Sequence, residues 1–380
     1  MTREETAPNA GASPRARDLG LKLPGEPGPL NAITDVADVS VGMKTIIETR
    51  PRPGRSLPVR TGVTAIMPRA SADQPSPVWA GFHRFNGNGE MTGTHWIADG
   101  GYFVGPVLIT NTHAVGMAHH AAVKWLLRRF PAMYSGEEHL WIMPVVAETY
   151  DGLLNDINGQ PITEQDVLDA LADLKPGPVM EGNSGGGTGM VCYEFKGGTG
   201  TASRRVAVGG KDYTVGVLVQ ANHGIRSWLN ILGVPVGRHL SEGRVLAGRG
   251  ERGSIIAVIA TDAPLLPHQL SRLARRGAIG IGRNGAVGGN NSGDLFLAFS
   301  VGNHVPMPHR APSRIQLEMI NDELIDPIYE AAVQGIEEAI INALVAAADM
   351  GGSEWDRFTV RALDHSALGE VLRRYDGRAQ

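Results

Sequence analysis

Short apolar runs recur along the chain, separated by polar and glycine-rich stretches: VTAIMP (63–68), FVGPVLIT (103–110), LWIMPVVA (140–147), YTVGVLVQA (213–221), SIIAVIA (254–260) and LFLAFSV (295–301). Their length and β-branched content predict buried strands. NAITDVADVSVG, from Asn31, alternates apolar and polar positions and predicts an edge strand. Helical spacing appears between these runs. Met117, Ala121 and Trp125 mark a helix over 113–129, and Thr163 with Asp166 forms a capping-box pattern ahead of Val167, Leu171 and Leu174. A third helix is predicted from Pro267 to Gly277, and a fourth over 328–349, with Ile336, Ile340, Leu344 and Ala347 on one face. With no fixed-period repeat, the order of runs predicts a layered α/β architecture in one large domain over 29–380. Residues 1–28, rich in Pro, Gly, Ala and charge, read as a loosely held arm.

Composition narrows the function. The 380 residues include 35 Lys and Arg against 39 Asp and Glu, a net charge of −4 that argues against a nucleic-acid partner. A single cysteine, Cys192, forbids an intrachain disulfide and any CxxC zinc site. No apolar stretch reaches membrane-span length, and the polar start MTREETAPNAGASPRARD lacks the apolar core of a secretory signal, so a cytoplasmic protein is expected. Twelve histidines form no HExxH pattern, and neither a metal nor a cofactor is expected. Cys192 reads as a small core residue.

The feature left to explain is glycine: 50 residues, about 13% against a usual share of about 7%. They gather at 182–200, 248–253 and 277–293. GRGERG and GIGRNG both match the dinucleotide fingerprint, which requires a helix directly afterwards. The first leads into strand-like SIIAVIA and the second into AVGGNNSG, so both read as turns. Gly182-Asn183-Ser184-Gly185-Gly186 fits the G-x-S-x-G elbow but lacks the following helix, leaving a flexible or anion-holding loop.

The junction Gly253-Ser254 carries more chemistry. If the bond before Ser254 is cut, that residue gains an α-amino group with a reference pKa of about 7.7–8.0, able to take the proton of its own hydroxyl. Gly253 removes side-chain bulk where the hydroxyl attacks its carbonyl.

Several stretches then agree in order: NAITDVADVSVG, VVAETYDG (145–152), GNSGGGTGM with KGGTGTAS (196–203), VLVQANHG (217–224), RGSIIAVIATDAPL (252–265) and NNSGDLFLAFS (290–300). Together they resemble the L-aminopeptidase/D-Ala-esterase/amidase family, which also contains the β-aminopeptidases. The resemblance implies a four-layer αββα sandwich similar to amino-terminal-nucleophile hydrolases but with different connectivity. It implies a precursor that cuts itself between Gly253 and Ser254 into pieces 1–253 and 254–380, which stay together as αβ pairs and form a homo-oligomer. By motif, Ser254 is the nucleophile, Asn222 an oxyanion-hole donor, and Tyr150 a hydroxyl near the nucleophile or oxyanion. Glu148 binds the substrate's ammonium, and Ser292 and Asp294 support the new amino terminus. The family pattern has Glu where this chain has Asp294, one methylene shorter. The implied substrates are small peptides, amides and esters with small amino-terminal residues. Two other readings are weighed against it: a self-cleaving acyltransferase resembling ornithine acetyltransferase, which uses Thr after the cut, and a non-catalytic glycine-loop nucleotide-binding protein.

Overall fold

The computed structural model describes residues 13–131, 141–246, 250–251 and 253–376. The first twelve residues of the arm, Leu140 of the run 140–147, and Arg252 before the Gly253-Ser254 junction lie outside them.

Strand–strand alternation builds two sheets. The first contains β1 (Val39–Glu48), β2 (Val59–Pro68), β5 (Val107–Asn111) and β6 (Val145–Thr149) in the order β1-β2-β5-β6, with β5 and β6 parallel. The second contains β3 (Val78–Arg84), β4 (Tyr102–Phe103), β9 (Gly198–Val208), β10 (Lys211–Asn222), β11 (Ser254–Thr261) and β12 (Leu295–Ser300) in the order β4-β3-β12-β11-β10-β9. Only β11 and β12 run parallel there. A two-residue pair, β7 (Val191–Cys192) and β8 (Phe195–Lys196), stands apart.

Side-chain parity along each strand divides the interior into three layers. Leu218, Ile256, Val258, Leu295 and Leu297 of the larger sheet meet Val41, Ile66, Ile109, Val145 and Ala147 of the smaller one. The alternate residues of the larger sheet, such as Val217, Ile255, Ala257 and Phe296, pack under helices α5 (Pro267–Ala274), α6 (Arg276–Arg283) and α7 (Asp326–Val345). Those of the smaller sheet, Val63, Leu108 and Val146, pack under α2 (Val115–Arg129) and α3 (Glu164–Ala172). The result is the expected four-layer αββα order. Helices α1 (Thr94–Gly100), α4 (Val236–His239) and α8 (His365–Asp376) are the other α-helices among the described residues.

Several details differ from the sequence expectations. The run 103–110 is not one strand: Gly105-Pro106 breaks it, sending β4 to the larger sheet and β5 to the smaller. Asn31–Val36 is not strand but contains a short 3-10 turn, and the edge strand starts at Val39. The helix predicted to stop at Gly277 resumes as α6 through GAIGIGR. Helical glycine costs about 0.5–1 kcal/mol against alanine, but a Cβ on Gly277 would overlap the Phe296 ring and one on Gly280 would strike Ile336. Close helix–sheet and helix–helix contact offsets that cost. The capping box is present as expected, Thr163 Oγ1 accepting from the Asp166 N–H while the Asp166 carboxylate accepts from the Thr163 N–H at 3.0 Å.

Residues 13–28 are tied to the body through half-buried arginines paired with buried acids. Arg15 pairs with Glu181 at 2.6 Å and Arg17 with Glu338 at 2.8 Å. Glu338 lies on α7 and also takes Arg204 and Asn31. Burial pushes its carboxyl up, but these partners outweigh burial and leave it below the usual carboxylate range.

Candidate active site

Topology gathers the site before any single side chain does. The parallel strands β11 and β12 begin at one end of the larger sheet, and their antiparallel neighbours β10 and β3 finish there. Ser254 opens β11, Asn222 closes β10, Ser292–Asp294 lead into β12, and loop 85–90 leaves β3. The smaller sheet joins at the same end, because Gln220 Nε2 donates to the Thr110 carbonyl at 3.0 Å and to Thr149 Oγ1 at 2.8 Å, at the carboxyl ends of β5 and β6.

Ser254 is directly opposite Asn222 in the antiparallel register, so the two side chains share the face between the sheets. The Gly293 N–H donates to Ser254 Oγ at 2.9 Å, a bond that stabilises negative charge developing on that oxygen. Gly253 presses on the exit of β10, where a Cβ would overlap the Asn222 carbonyl oxygen. Only glycine fits before the serine without shifting backbone. Asn222 itself is held on both sides: Oδ1 accepts from the Val191 N–H at 2.7 Å, and Nδ2 donates to the Tyr150 carbonyl at 2.9 Å. The Tyr150 carbonyl takes one of the two Nδ2 hydrogens.

Ser292 and Asp294 are fully buried and directly joined, Ser292 Oγ donating to Asp294 Oδ1 at 2.6 Å. The shorter acid therefore reaches. Asn86 Nδ2 supports the other oxygen of Asp294 at 3.1 Å, and burial pushes its carboxyl above the ordinary aspartate range despite these bonds. Asn88 Nδ2 donates to the Asn291 carbonyl at 2.7 Å, fastening loop 85–90 to the serine loop.

Glu148 reaches the same region from β6. It is 3% exposed; the Glu90 N–H donates to it at 2.9 Å, and the Thr112 hydroxyl donates to its second oxygen. Burial raises its carboxyl above the usual range, with those two bonds acting against the shift. Gly89 lies against both it and the serine loop: a Cβ there would lie 3.3 Å from Glu148 Oε1 and 3.2 Å from the Gly293 Cα. Tyr150 behaves differently. β6 ends at Thr149, Tyr150 is 43% exposed, and a Cβ on Gly152 would overlap its hydroxyl. Its link to Asn222 runs through the backbone carbonyl.

Ser254, Gly253, Asn222, Ser292 and Asp294 thus meet at one sheet end, with Glu148 beside them and Tyr150 joined by its main chain. Sequence reasoning missed the supports Asn86, Asn88, Thr112 and the Gly293 N–H, and it also missed Glu251, which lies on the chain ahead of the Gly253-Ser254 junction. The NGNGE segment 86–90 carries a signal, asparagines between glycines in a chain-reversing loop, which did not separate it from other turns. Glu251, 6% exposed, accepts from the Gly224 N–H at 2.5 Å and the Gly289 N–H at 2.8 Å. His223, next to Asn222, is fully buried and held neutral, its pKa lowered to about 3 by burial. Cys192 is buried beside it, Sγ 3.7 Å from Nδ1.

The 182–187 loop is not an anion cradle. The Gly185 and Gly186 N–H groups are spent on Thr45 Oγ1 (2.8 Å) and Thr64 Oγ1 (3.0 Å), and Ser184 Oγ donates to the Glu181 carbonyl at 3.1 Å.

Comparison with known proteins gives this geometry its context. Residues 31–357 match the profile of peptidase family S58. The chain is 48% identical over 377 residues to a β-peptidyl aminopeptidase of Sphingosinicella microcystinivorans, covering 95% of this chain and 92% of that protein. Among solved structures it is 62% identical to the L-aminopeptidase D-Ala-esterase/amidase of Ochrobactrum anthropi, covering 96% and 99% of the two chains with a TM-score of 0.93. That enzyme is described as a prototype for the serine aminopeptidases and a new variant among the Ntn hydrolase fold. A Burkholderia sp. β-aminopeptidase superposes with a TM-score of 0.84 at 45% identity, covering 95% of this chain and 98% of that one. With the αββα layers and a serine opening a central strand, these matches establish that the chain belongs to peptidase family S58 and has the Ntn-hydrolase-variant fold.

Proposed function

We propose that this peptidase is made as a precursor that cuts itself between Gly253 and Ser254, and then acts as a serine aminopeptidase, amidase and esterase on small amino-terminal residues. The carrying observation is the junction itself: a serine whose Oγ accepts the Gly293 N–H, opposite Asn222, preceded by a glycine that its surroundings require. In the cut, Ser254 Oγ bonds to the Gly253 carbonyl carbon, the C–N bond breaks, and the serine nitrogen takes the hydroxyl proton. Water then hydrolyses the ester, releasing the Gly253 carboxylate and regenerating the hydroxyl. In turnover the freed α-amine takes the Oγ proton as Oγ attacks the substrate carbonyl. Asn222 donates to the oxyanion, the leaving amine or alcohol departs with the proton, and water resolves the acyl-enzyme. Glu148 receives the substrate's ammonium, which compensates a carboxylate that burial otherwise disfavours. Ser292 and Asp294 hold the new amino terminus.

The pieces, 253 and 127 residues long, are expected to stay together as a single domain, because β10 and β11 fall on opposite sides of the cut yet are neighbours in one sheet. The similarity to aminopeptidases favours hydrolysis over acyl transfer to a second amine. GIGRNG overlaps α6, and GRGERG leads directly into β11, which weighs against a nucleotide site. Peptides, amides and esters of L-residues, D-Ala esters and amides, and peptides with amino-terminal β-residues are the substrate classes to compare. No helix among the described residues is long and apolar enough to cross a membrane. A cytoplasmic oligomer of processed pairs is the form we propose. The deciding experiment is denaturing electrophoresis with amino-terminal sequencing: bands of roughly 27 and 13.5 kDa from the 40.4 kDa chain, the smaller beginning Ser-Ile-Ile. Fully active protein in a single intact band would remove the mechanism.

A further inference from the structure

We propose that Glu251 is a positioning residue for the self-cleavage step, clamping the chain ahead of the scissile bond to both walls of the site. The inference rests on the self-cleavage reading above. Residues 241–244 and Gly250 are exposed, yet Glu251 is buried. One carboxylate oxygen accepts from the Gly224 N–H, two residues beyond Asn222 on the exit of β10. The other accepts from the Gly289 N–H in the loop that leads to Ser292, and the Gly289 carbonyl in turn accepts from the Ser292 N–H at 2.9 Å. Both donors sit at glycines that leave room for this arrangement. Gly224 has φ +82°, and a Cβ there would overlap the Tyr193 ring; a Cβ on Gly289 would overlap the Glu251 carboxylate.

The chemistry explains why such a clamp is needed. Attack of Ser254 Oγ on its own preceding carbonyl requires the two atoms to be held within about 3–3.5 Å and aligned, and a displacement of about 1 Å can cost about a hundredfold. Gly253 has no side chain to anchor it, and among the described residues the nearest buried side chain ahead of the bond is Glu251, two residues away. A carboxylate with both oxygens on backbone donors fixes position more firmly than a neutral side chain. Glu251 touches neither reacting atom. Its role ends with the cut.

The test follows conversion of freshly translated full-length chain into the 253- and 127-residue pieces, with wild type and Ser254→Ala alongside. If wild type is not cut, or Ser254→Ala is, the self-cleavage reading fails whatever Glu251 does. If those controls behave, Glu251→Ala is expected to slow cutting by about tenfold or more, and Glu251→Gln, which keeps one acceptor, to fall between it and wild type. Gly289→Ala, which crowds the carboxylate, is expected to slow cutting too, and to add little in the double variant with Glu251→Ala. Molecules of Glu251→Gln that have been cut, counted by their new amino-terminal serine, are expected to turn over substrate within about threefold of wild type. Cutting of a folded Glu251→Gln or Glu251→Ala chain at the wild-type rate overturns the proposal. So does turnover per cut molecule that falls as far as the cutting rate, or full additivity with Gly289→Ala. Should Glu251→Ala not fold, Glu251→Gln decides alone.

Discussion

Ser184 and Ser254 both have glycine neighbours, and their surroundings make them opposites. Ser184 lies in a G-x-S-x-G segment and Ser254 follows a single glycine; both are buried. Ser184 Oγ donates to the Glu181 carbonyl, and the N–H groups after it are absorbed by Thr45 and Thr64. Its glycines serve packing: a Cβ on Gly186 would overlap the Gln220 side chain, and one on Gly187 would overlap the Thr199 backbone nitrogen. Ser254 Oγ instead accepts an N–H, faces an asparagine amide, and lies next to a loop carrying a buried serine–aspartate pair. On the proposed function, what separates a packing serine from a reactive one is the direction of its hydrogen bond and the groups left able to stabilise charge. Glycine neighbours are common to both.

The comparison breaks most visibly at the hydroxyl. Ser254→Ala is expected to leave the chain in one piece and to lower amide hydrolysis by about 10⁴-fold or more, read by electrophoresis and initial rates. Retained activity would return Ser184 to candidacy. Next in size is Asn222→Ala, expected to lower kcat by about 10²–10³-fold through loss of an oxyanion donor. Asn222→Asp, of equal size but without the N–H₂ group, should lose a similar amount; near wild-type kcat in both would deny Asn222 that role.

Glu148 gives a smaller, pH-dependent effect. Its raised carboxyl pKa means that it takes up a proton, and loses its charge, at a higher pH than the ordinary glutamate value of about 4.3. KM for substrates bearing an ammonium is therefore expected to rise as pH falls through that raised value. Glu148→Gln should raise KM about tenfold or more at neutral pH and flatten that acid-side rise. An unchanged KM profile in Glu148→Gln would show that the acid serves packing alone. The smallest effect is expected at Ser184→Ala: about 1 kcal/mol of stability lost with its hydrogen bond, seen as a lower thermal midpoint, with cutting and kcat within about threefold of wild type.

Much of this was legible in the residues. Apolar runs marked β2, β10, β11 and β12, helical spacing marked α2 and α7, and Thr163-x-x-Asp166 marked the start of α3. Strands were missed where glycine replaced the expected β-branched residues, as in GTGTASRRVAV of β9, whose Gly198 and Gly200 accommodate Gly182 and α7 at close range. Ser254 and Asn222 were legible because one begins and the other ends an apolar run, whereas Ser292 and Asp294 were legible only through the NNSGD stretch that carries the family resemblance. Glu251 and Asn86 were not, because a carboxylate or amide in a loop carries no local sign of what it will hold.

The sequence by itself determined the layered α/β class, the strand-opening serine and the glycine before it, since these depend on residue type and short-range periodicity. Tertiary structure alone decided that Asp294 is long enough for Ser292, that Asn222 is pinned by Val191 and the Tyr150 carbonyl, and that the 182–187 loop is filler. The physical reason is distance along the chain. Parity and propensity act over a few residues, whereas Ser254 meets Asn222 and Gly293 across 32 and 39 positions, separations that only sheet order can close.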